Sequence, residues 1–512
     1  MSELWGEVPN MTSRKLIPAD RQPAPLVANP NVDYRDKYRG ALVGVGIGDA
    51  LGRPAEGRRP ERIKEVHGTI TGFIPWRGWR GGPRGTLTDD TELTIALAES
   101  LIERRGMDPA DFGRRCVAWL PVGRGKGHAT TEACMNLIDG LSWDEAGSPS
   151  AGNGAAMRAA PIGLLHPLDM NSLRRDAAIS AVVTHADPTA VLSAAALAYV
   201  VADLLHTRPG ELDIGGLLER MVANLEDFAD PELEERKPEG GTVRLLARLQ
   251  EMGARLDQSP EELFRYTYNG AFVSESLPAA LWCFLRTPDD PATVVITAAN
   301  GGYDADTVAA MAGAMAAAYN GLSAWPSRWV DDLEYRDGLE GCADDLLDLS
   351  PLPHEPAIDP PVGELDVIDG FKGRFVMLSN WARTPVEVDG QRFPTADHAY
   401  SYRQIASEEI ASEVRYIPTP SGAVERRGQT RPRPNWSTEQ VAVMETILAQ
   451  KFAPGSRAAD LLLSTGKATL RNENWWGDTF WGTVDGRGEN RLGKMLESLR
   501  QSIRTNAQHS GQ

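Results

Sequence analysis

Cysteine is scarce in this chain of 512 residues: the four, Cys116, Cys134, Cys283 and Cys342, stand far apart, and none forms a C-x-x-C pair. That spacing gives no support to a zinc site or a thioredoxin-type dithiol, and the density argues against a disulfide framework. No run approaches the ~18 apolar residues of a membrane helix. The richest, "AVVTHADPTAVLSAAALAYVV", is broken by His185, Asp187 and Pro188. A basic excess is missing too. With 53 Lys+Arg against 71 Asp+Glu, the net charge is −18, which argues against a general electrostatic grip on nucleic acid or anionic lipid. The opening "MSELWGEVPNMTSRKLIP" lacks the basic-then-apolar order of a signal peptide. A soluble cytoplasmic protein is expected, with no membrane partner and no general nucleic-acid-binding face.

The length exceeds one ordinary core, so two or three domains are expected, and 42% hydrophobic residues suffice to build them. Residues 1–30 are polar and Pro-rich and read as a flexible tail. From 31 to 348 the pattern is helical, with few strand signals. "TELTIALAESLIERR" puts Leu93, Ala96, Leu97 and Leu101 on one stripe. "TAVLSAAALAYVVADLL" and "DTVAAMAGAMAAAYNGL" are apolar nearly all round, as in helices at the centre of a bundle. "LSPLPHEPAIDPPVGE" has five prolines in sixteen residues and predicts a semi-rigid linker over 349–365. Beyond it, "EVDGQRFP" carries the Asp-Gly signal of a hairpin, while "VAVMETILAQKF" and "RLGKMLESLRQSI" read as amphipathic helices. The fold class expected is mainly α: an all-α domain, then a smaller α+β domain over 366–505 and a tail over 506–512.

"TLTDDTEL" places Thr88, Asp89 and Asp90 in a row before an apolar helix. Alone, the row is explained by N-capping, since Thr and Asp oxygens accept from the free N–H groups of a first turn. "NGGYDADTVAAMAGA" repeats the pattern with Asp304, Asp306 and Thr307. Two such clusters supply four carboxylates and two hydroxyls, a hard-oxygen set suited to Mg²⁺ or Mn²⁺. A helix N-terminus disfavours a cation, so carboxylates must outweigh the dipole there, and four do. Together the clusters favour a shared site over two unrelated caps. "GDALGRPAEG" adds Asp49 and Glu56 after the small-residue run "GALVGVGIG", where close packing is expected. In "AGNGAAMRAAPIGLL", Gly152, Asn153 and Gly154 lead into a helical run, either a tight turn or exposed N–H groups forming an anion seat. His185 in "VVTHADP" stands at a helix entry.

In order, "GDALGRPAE", "TDDTEL", "GNGAAMRAAPIG", "THADP" and "GYDADTVAAMAGA" resemble the ADP-ribosylglycohydrolase family, which includes the enzymes that reactivate dinitrogenase reductase; the resemblance covers about 38–330. It implies an all-α fold holding two Mg²⁺ or Mn²⁺ ions in a cleft that binds ADP-ribose. By motif position, Thr88, Asp89, Asp90, Asp304, Asp306 and Thr307 look like metal ligands, with Asp89 and Asp306 also catalytic. Glu56 matches the acid near the scissile bond. Gly152, Asn153 and Gly154 would line the diphosphate, and His185 would border the ligand. Tyr303 stands where many members have a second glycine, so its ring would stack on the ligand or narrow the cleft.

The second domain packs three tryptophans, the central acid Asp478 and a Gly-rich loop into "LRNENWWGDTFWGTVDGRGENRLGKML". That reads either as an aromatic mini-core or as a pocket for a flat base with a carboxylate in reach. With "LSNW", "FPTADHAYSYRQ" and "LLLSTGKATL", it resembles the YbiA-like, or NADAR, family, whose members act as N-glycosidases on ribosylated bases. Carried over by motif, Asp478 would be catalytic, Trp481 and Asn490 would line the pocket, and Asp397 takes a position commonly held by Glu. The lysine usual near Val424 in "SGAVERRGQ" is absent.

The reading is a metal-dependent hydrolase that removes ADP-ribose from a protein side chain, nucleobase or metabolite, with a second ADP-ribose-handling domain behind it. In one alternative only the first domain catalyses and the second is a reader. Another is a metal-dependent phosphoesterase, against which stands the lack of a Lys/Arg clamp in the two Asp clusters.

Overall fold

Glycines fall at every fourth position, Gly40, Gly44, Gly48 and Gly52, along the helix α1 (Tyr34–Gly52) and so share one face. A β-carbon at Gly48 would collide with the Ala309 carbonyl, and one at Gly52 would lie within 2.6 Å of the Asp306 nitrogen. The stripe therefore lets two helix backbones touch. The computed structural model describes residues 16–20, 25–75, 85–228, 241–355 and 365–510. The tail expected over 1–30, the linker over 349–365 and the tail over 506–512 lie partly outside these residues.

The described residues form two units, the first ending at His354 and the second beginning at Glu355. In the first, helix α2 (Asp89–Arg104) carries one acidic cluster at its start. Helix α3 (Pro188–Leu204) is buried along nearly its whole length, with Asp187 capping it through Thr189 N–H. Helices α4 (Pro260–Thr267) and α5 (Val273–Arg286) follow. Helix α6 (Ala305–Asn320) is the partner of α1 and is buried from Ala305 to Tyr319, as its Ala-rich sequence permits. Because α1 and α6 are in backbone contact, the C-terminal end of one meets the N-terminal end of the other. Leu16, Ile17, Leu26 and Ala28, within the expected tail, pack partly buried against this core.

All the named strands among the described residues lie in the second unit. Strand β1 (Val367–Asp369) pairs in parallel with a later strand, Thr469–Arg471. Strands β2 (Arg383–Val388) and β3 (Gln391–Thr395) form an antiparallel hairpin. Its turn residues, Asp389 (φ 52°) and Gly390 (φ 72°), both occupy the left-handed region that a tight hairpin needs. Helices α7 (Ala396–Gln404) and α8 (Pro420–Gly428) lie close in sequence to the hairpin. The two amphipathic segments form helices over Trp436–Lys451 and Arg491–Ser510, the second continuing past residue 505. Leu378, Phe393, Leu470 and Leu496 are fully buried in this unit's core. The chain is mainly α, with a small mixed second unit.

Candidate active site

Elsewhere in the first unit, every described α-helix whose N-cap residue is Asp or Ser is capped locally by that residue. Asp33, Asp108, Asp169, Asp187, Asp213, Ser259 and Asp290 each accept from the first turn of their own helix. The N-cap residues of α2 and α6, Thr88 and Asp304, do not. The Thr88 hydroxyl donates to Asp49 Oδ1 (2.7 Å) and its N–H to Asp49 Oδ2 (2.9 Å). Thr91 adds its hydroxyl (2.5 Å) and its N–H (3.3 Å) to Asp49 Oδ2. A carboxylate on α1 thus caps α2 from outside. The capping explanation of "TLTDDTEL" fails in its simple form, since Thr88 does not cap its own helix.

Asp304 likewise accepts from none of the N–H groups of its own first turn. Its Oδ2 accepts from Asn153 Nδ2 (2.5 Å), which also donates to Ser276 Oγ (3.1 Å), and its Oδ1 accepts from the Thr307 hydroxyl (3.4 Å). Asp306 Oδ1 accepts from the Thr307 N–H (3.0 Å). Asp90 is buried, and its Oδ1 has no hydrogen-bond partner among the described residues.

Electrostatics tie the two clusters together. Burial, then the charges of Asp306 and Asp49, hold the Asp89 carboxyl far above its usual range. Asp90 is raised by burial, then by Asp89, Asp49 and Asp304. Asp306 is raised by burial, then by Asp90, Asp304 and Glu56. Asp304 is pushed up to about 6 by burial, opposed by its bond from Asn153 and reinforced by Glu56. Buried carboxylates that destabilise one another are what a divalent cation relieves. The unpartnered Asp90 Oδ1 and the all-oxygen donor set fit Mg²⁺ or Mn²⁺. Among the described residues, no three acidic, His or Cys side chains converge closely enough for a single ion. In the geometry shown, Asp304 and Asp306 face Asn153 and Thr307, so the fit lies in charge and donor chemistry and not in a finished coordination shell.

Glu56 is exposed just beyond the end of α1, and its charge is felt by both Asp304 and Asp306. Arg53, one turn earlier, brings a guanidinium into the field of Asp49, Glu56 and Asp306. The two Asp motifs do not anticipate that cation.

The Gly152–Gly154 segment differs from the expected anion seat. Gly152 N–H donates to Ser150 Oγ (3.2 Å) and Asn153 N–H to the Ala271 carbonyl (3.0 Å), so two of the three N–H groups are used internally. The helical turn there spans only Asn153–Ala155. Its role is to place Asn153 against Asp304. The glycines also make room for His185: a β-carbon at Gly154 would come 2.7 Å from His185 Cε1. Burial, then the Arg158 charge, lowers the His185 pKa to about 3, which keeps the ring neutral. Tyr303 has φ 57°, and its ring lies 4.8 Å from that of Tyr268.

In the second unit, Thr395 caps α7 by accepting from His398 N–H (3.2 Å), so Asp397 is not the cap. Asp397 Oδ1 accepts from Arg427 Nη1 (3.1 Å), while its buried Oδ2 has no partner among the described residues. Arg427 also donates to Ser401 Oγ (3.0 Å) and lies 5.2 Å over the Tyr400 ring, which meets Trp436 at 4.9 Å and Trp481 at 5.6 Å, both edge-on. The charges of Asp397 and Asp478 both reach the Tyr400 hydroxyl. Asp397, Trp481 and Asp478 therefore gather around Tyr400. Asp478 Oδ1 is engaged by the N–H groups of Phe480 and Trp481 (3.0 and 2.9 Å). Asn490 is placed differently from the pocket role expected of it. Its amide donates to Leu470 O and accepts from Asn472 N–H (both 2.9 Å), which makes it a backbone brace. Arg427 and Tyr268 were not singled out by motif, though the arginine cluster "ERRGQTRPRP" hinted at the first; Asp49 was, but not as the cap of α2.

Residues 30–356 match the ADP-ribosylglycohydrolase family and residues 371–504 the NADAR domain. An uncharacterized protein of Archaeoglobus fulgidus is 33% identical over 324 residues, spanning 61% of this chain and 97% of its own length. ADP-ribosylhydrolase ARH3 of Mus musculus is 29% identical over 331 residues, 58% of this chain and 87% of that protein. ADP-ribosylarginine hydrolase Tri1 of Serratia proteamaculans is 26% identical over 332 residues, 63% and 82% of the two chains.

Proposed function

Because the chain belongs to the ADP-ribosylglycohydrolase family, we propose that its first unit hydrolyses the glycosidic bond between ADP-ribose and a modified target with the help of two divalent cations, Mg²⁺ or Mn²⁺. It is a glycoside hydrolase acting on ADP-ribose linkages, followed by a NADAR domain. The observation that carries the metal reading is the pair of unused caps. Neither Thr88 nor Asp304 accepts from the first-turn N–H groups of its own helix, and both stand beside carboxylates whose protonation each other's charge favours.

Thr88, Asp89, Asp90, Asp304, Asp306 and Thr307 would hold the ions. Bound there, the ions would fix ribose hydroxyls and polarise a water. The chain's own residues do the rest. Asp49 fixes the start of α2, and Asn153 orients Asp304. Exposed Glu56 would take a proton as water oxygen joins the ribosyl carbon and the bond to the target breaks; that proton would then pass to the leaving atom. Neutral His185 offers ADP-ribose an uncharged wall beside Gly152 and Gly154. The substrate is an ADP-ribosylated protein side chain, nucleobase or metabolite.

For the second unit, one observation favours a reader. The guanidinium of Arg427 is seated on Asp397, and Val424, one turn earlier on α8, has no amine with which to attack a sugar. The buried Oδ2 of Asp397 would accept from a bound ribose or base. The test is incubation of the full chain with ADP-ribosyl conjugates of arginine, serine and guanine, with and without Mg²⁺. Asp306→Asn is expected to abolish release, and Asp397→Asn to leave release intact while weakening retention of ADP-ribosylated ligand. Release that survives Asp306→Asn, or is lost in Asp397→Asn, contradicts this division of labour.

A further inference from the structure

Tyr303 and Tyr268 are both bulky residues held at positive φ, 57° and 76°. Side chains with a β-carbon rarely adopt that conformation, and it persists only where the surroundings or a function demand it. Here the surroundings are backbone clasps. Gly57 N–H donates to Tyr303 O and Tyr303 N–H to Arg58 O, both at 2.7 Å, so Tyr303 is fastened to the loop that follows Glu56. Asp304 N–H donates to Asn269 O (3.0 Å), which fastens the same turn to the residue after Tyr268. The two clasps bring the rings to a centroid distance of 4.8 Å, tilted by 30°. Core packing does not account for the pair: Tyr268 is 55% exposed and Tyr303 half-buried, so little apolar area leaves water. A strained aromatic pair thus stands at the solvent edge of the acid cluster, next in chain to Asp304 and clasped to the loop carrying Glu56.

Resting on the hydrolase reading above, we propose that the Tyr268–Tyr303 pair is a specificity-determining platform that seats a planar, conjugated leaving group. The Tyr268 ring, 55% exposed, and its partner Tyr303 offer π-electron density, which attracts a flat cation or a conjugated plane. The nearby Glu56 carboxylate favours a group bearing N–H donors. An ether-linked target such as serine offers neither a plane nor a charge at that place. The pair therefore discriminates by linkage type.

The experiment compares kcat/KM of the full chain with Mg²⁺ on ADP-ribosyl-agmatine, whose aglycone is a guanidinium, and on an ADP-ribosyl-serine peptide. Tyr303→Gly removes the ring and relieves the backbone, so the variant folds; Tyr303→Phe keeps the ring. The agmatine-to-serine ratio is expected to fall about tenfold in Tyr303→Gly, mostly through KM, and to stay within about twofold in Tyr303→Phe. An unchanged ratio in Tyr303→Gly overturns the platform. If the wild type hydrolyses neither conjugate, the catalytic reading falls, and the same comparison is read as Kd by calorimetry. There the agmatine conjugate is expected to bind Tyr303→Gly about tenfold more weakly, and equal affinities overturn the platform.

Discussion

Thr88 gives both its hydroxyl and its N–H to Asp49, a residue 39 positions earlier in the chain, at 2.7 and 2.9 Å. Through this pair α1 sets the start of α2, and the close contact of α1 with α6 sets the other acidic cluster. Replacing Asp49 by Asn keeps one accepting oxygen but turns the other into an NH2 group, which cannot accept from the donors that face it. Asp49→Asn is expected to cost about 1–3 kcal/mol in denaturant unfolding and to lower turnover, whereas Thr94→Val, one turn further along α2, leaves turnover near wild type. Equal turnover losses in both would remove the special role of Asp49.

The acidic cluster stores repulsion. In chelator, Asp90→Asn is expected to raise the melting temperature above wild type, because it removes one buried charge from a group of like charges. In Mg²⁺ the order reverses, since a bound ion stabilises only the folded wild type. A variant destabilised in both conditions would mean that Asp90 is structural.

The glycine stripe separates close contact from backbone freedom. Gly48→Ala drives a methyl into the Ala309 carbonyl and is expected to cost at least about 2 kcal/mol. Gly57, at φ +69° with open space around its β-position, is strained only in its backbone, so Gly57→Ala costs about 1 kcal/mol. Chemical denaturation reads both, and the reverse ranking would contradict the packing of α1 on α6.

These cases show what the sequence makes legible. The small-residue run "GALVGVGIG", the Ala-rich apolar helices and the Asp389-Gly390 turn are local signals, and each formed the packing or element expected of it. The acidic clusters were visible because each is a short run before a helix. The partner of Asp49 was not, for no local pattern says that a carboxylate on one helix caps another. The choice between a tight turn and an anion seat at Gly152–Gly154 was open for the same reason: the group that uses Asn153 N–H, Ala271 O, lies far along the chain. Asn490 looked like a pocket residue until both ends of its amide met backbone. Arg427 and Asp397 likewise meet only through the fold.

Acid stability tests a different part of the first unit. Burial alone would raise Asp111, but Arg115, Ser100 and Arg104 hold its carboxyl at about 2. A folded-state pKa below the unfolded value of 3.8 means stability that is complete above pH about 4 and lost as pH falls toward about 2. Thermal melts over that window are expected to fall more steeply for wild type than for Asp111→Asn. Parallel pH profiles would show that the Arg115 pair contributes nothing there.

The most direct test is anomalous scattering from crystals grown with Mn²⁺. The account predicts manganese within coordination distance of both Asp89–Asp90 and Asp304–Asp306, and no such signal in Asp306→Asn crystals. Density that leaves the cluster empty in the wild type, or that survives unchanged in the variant, would contradict it.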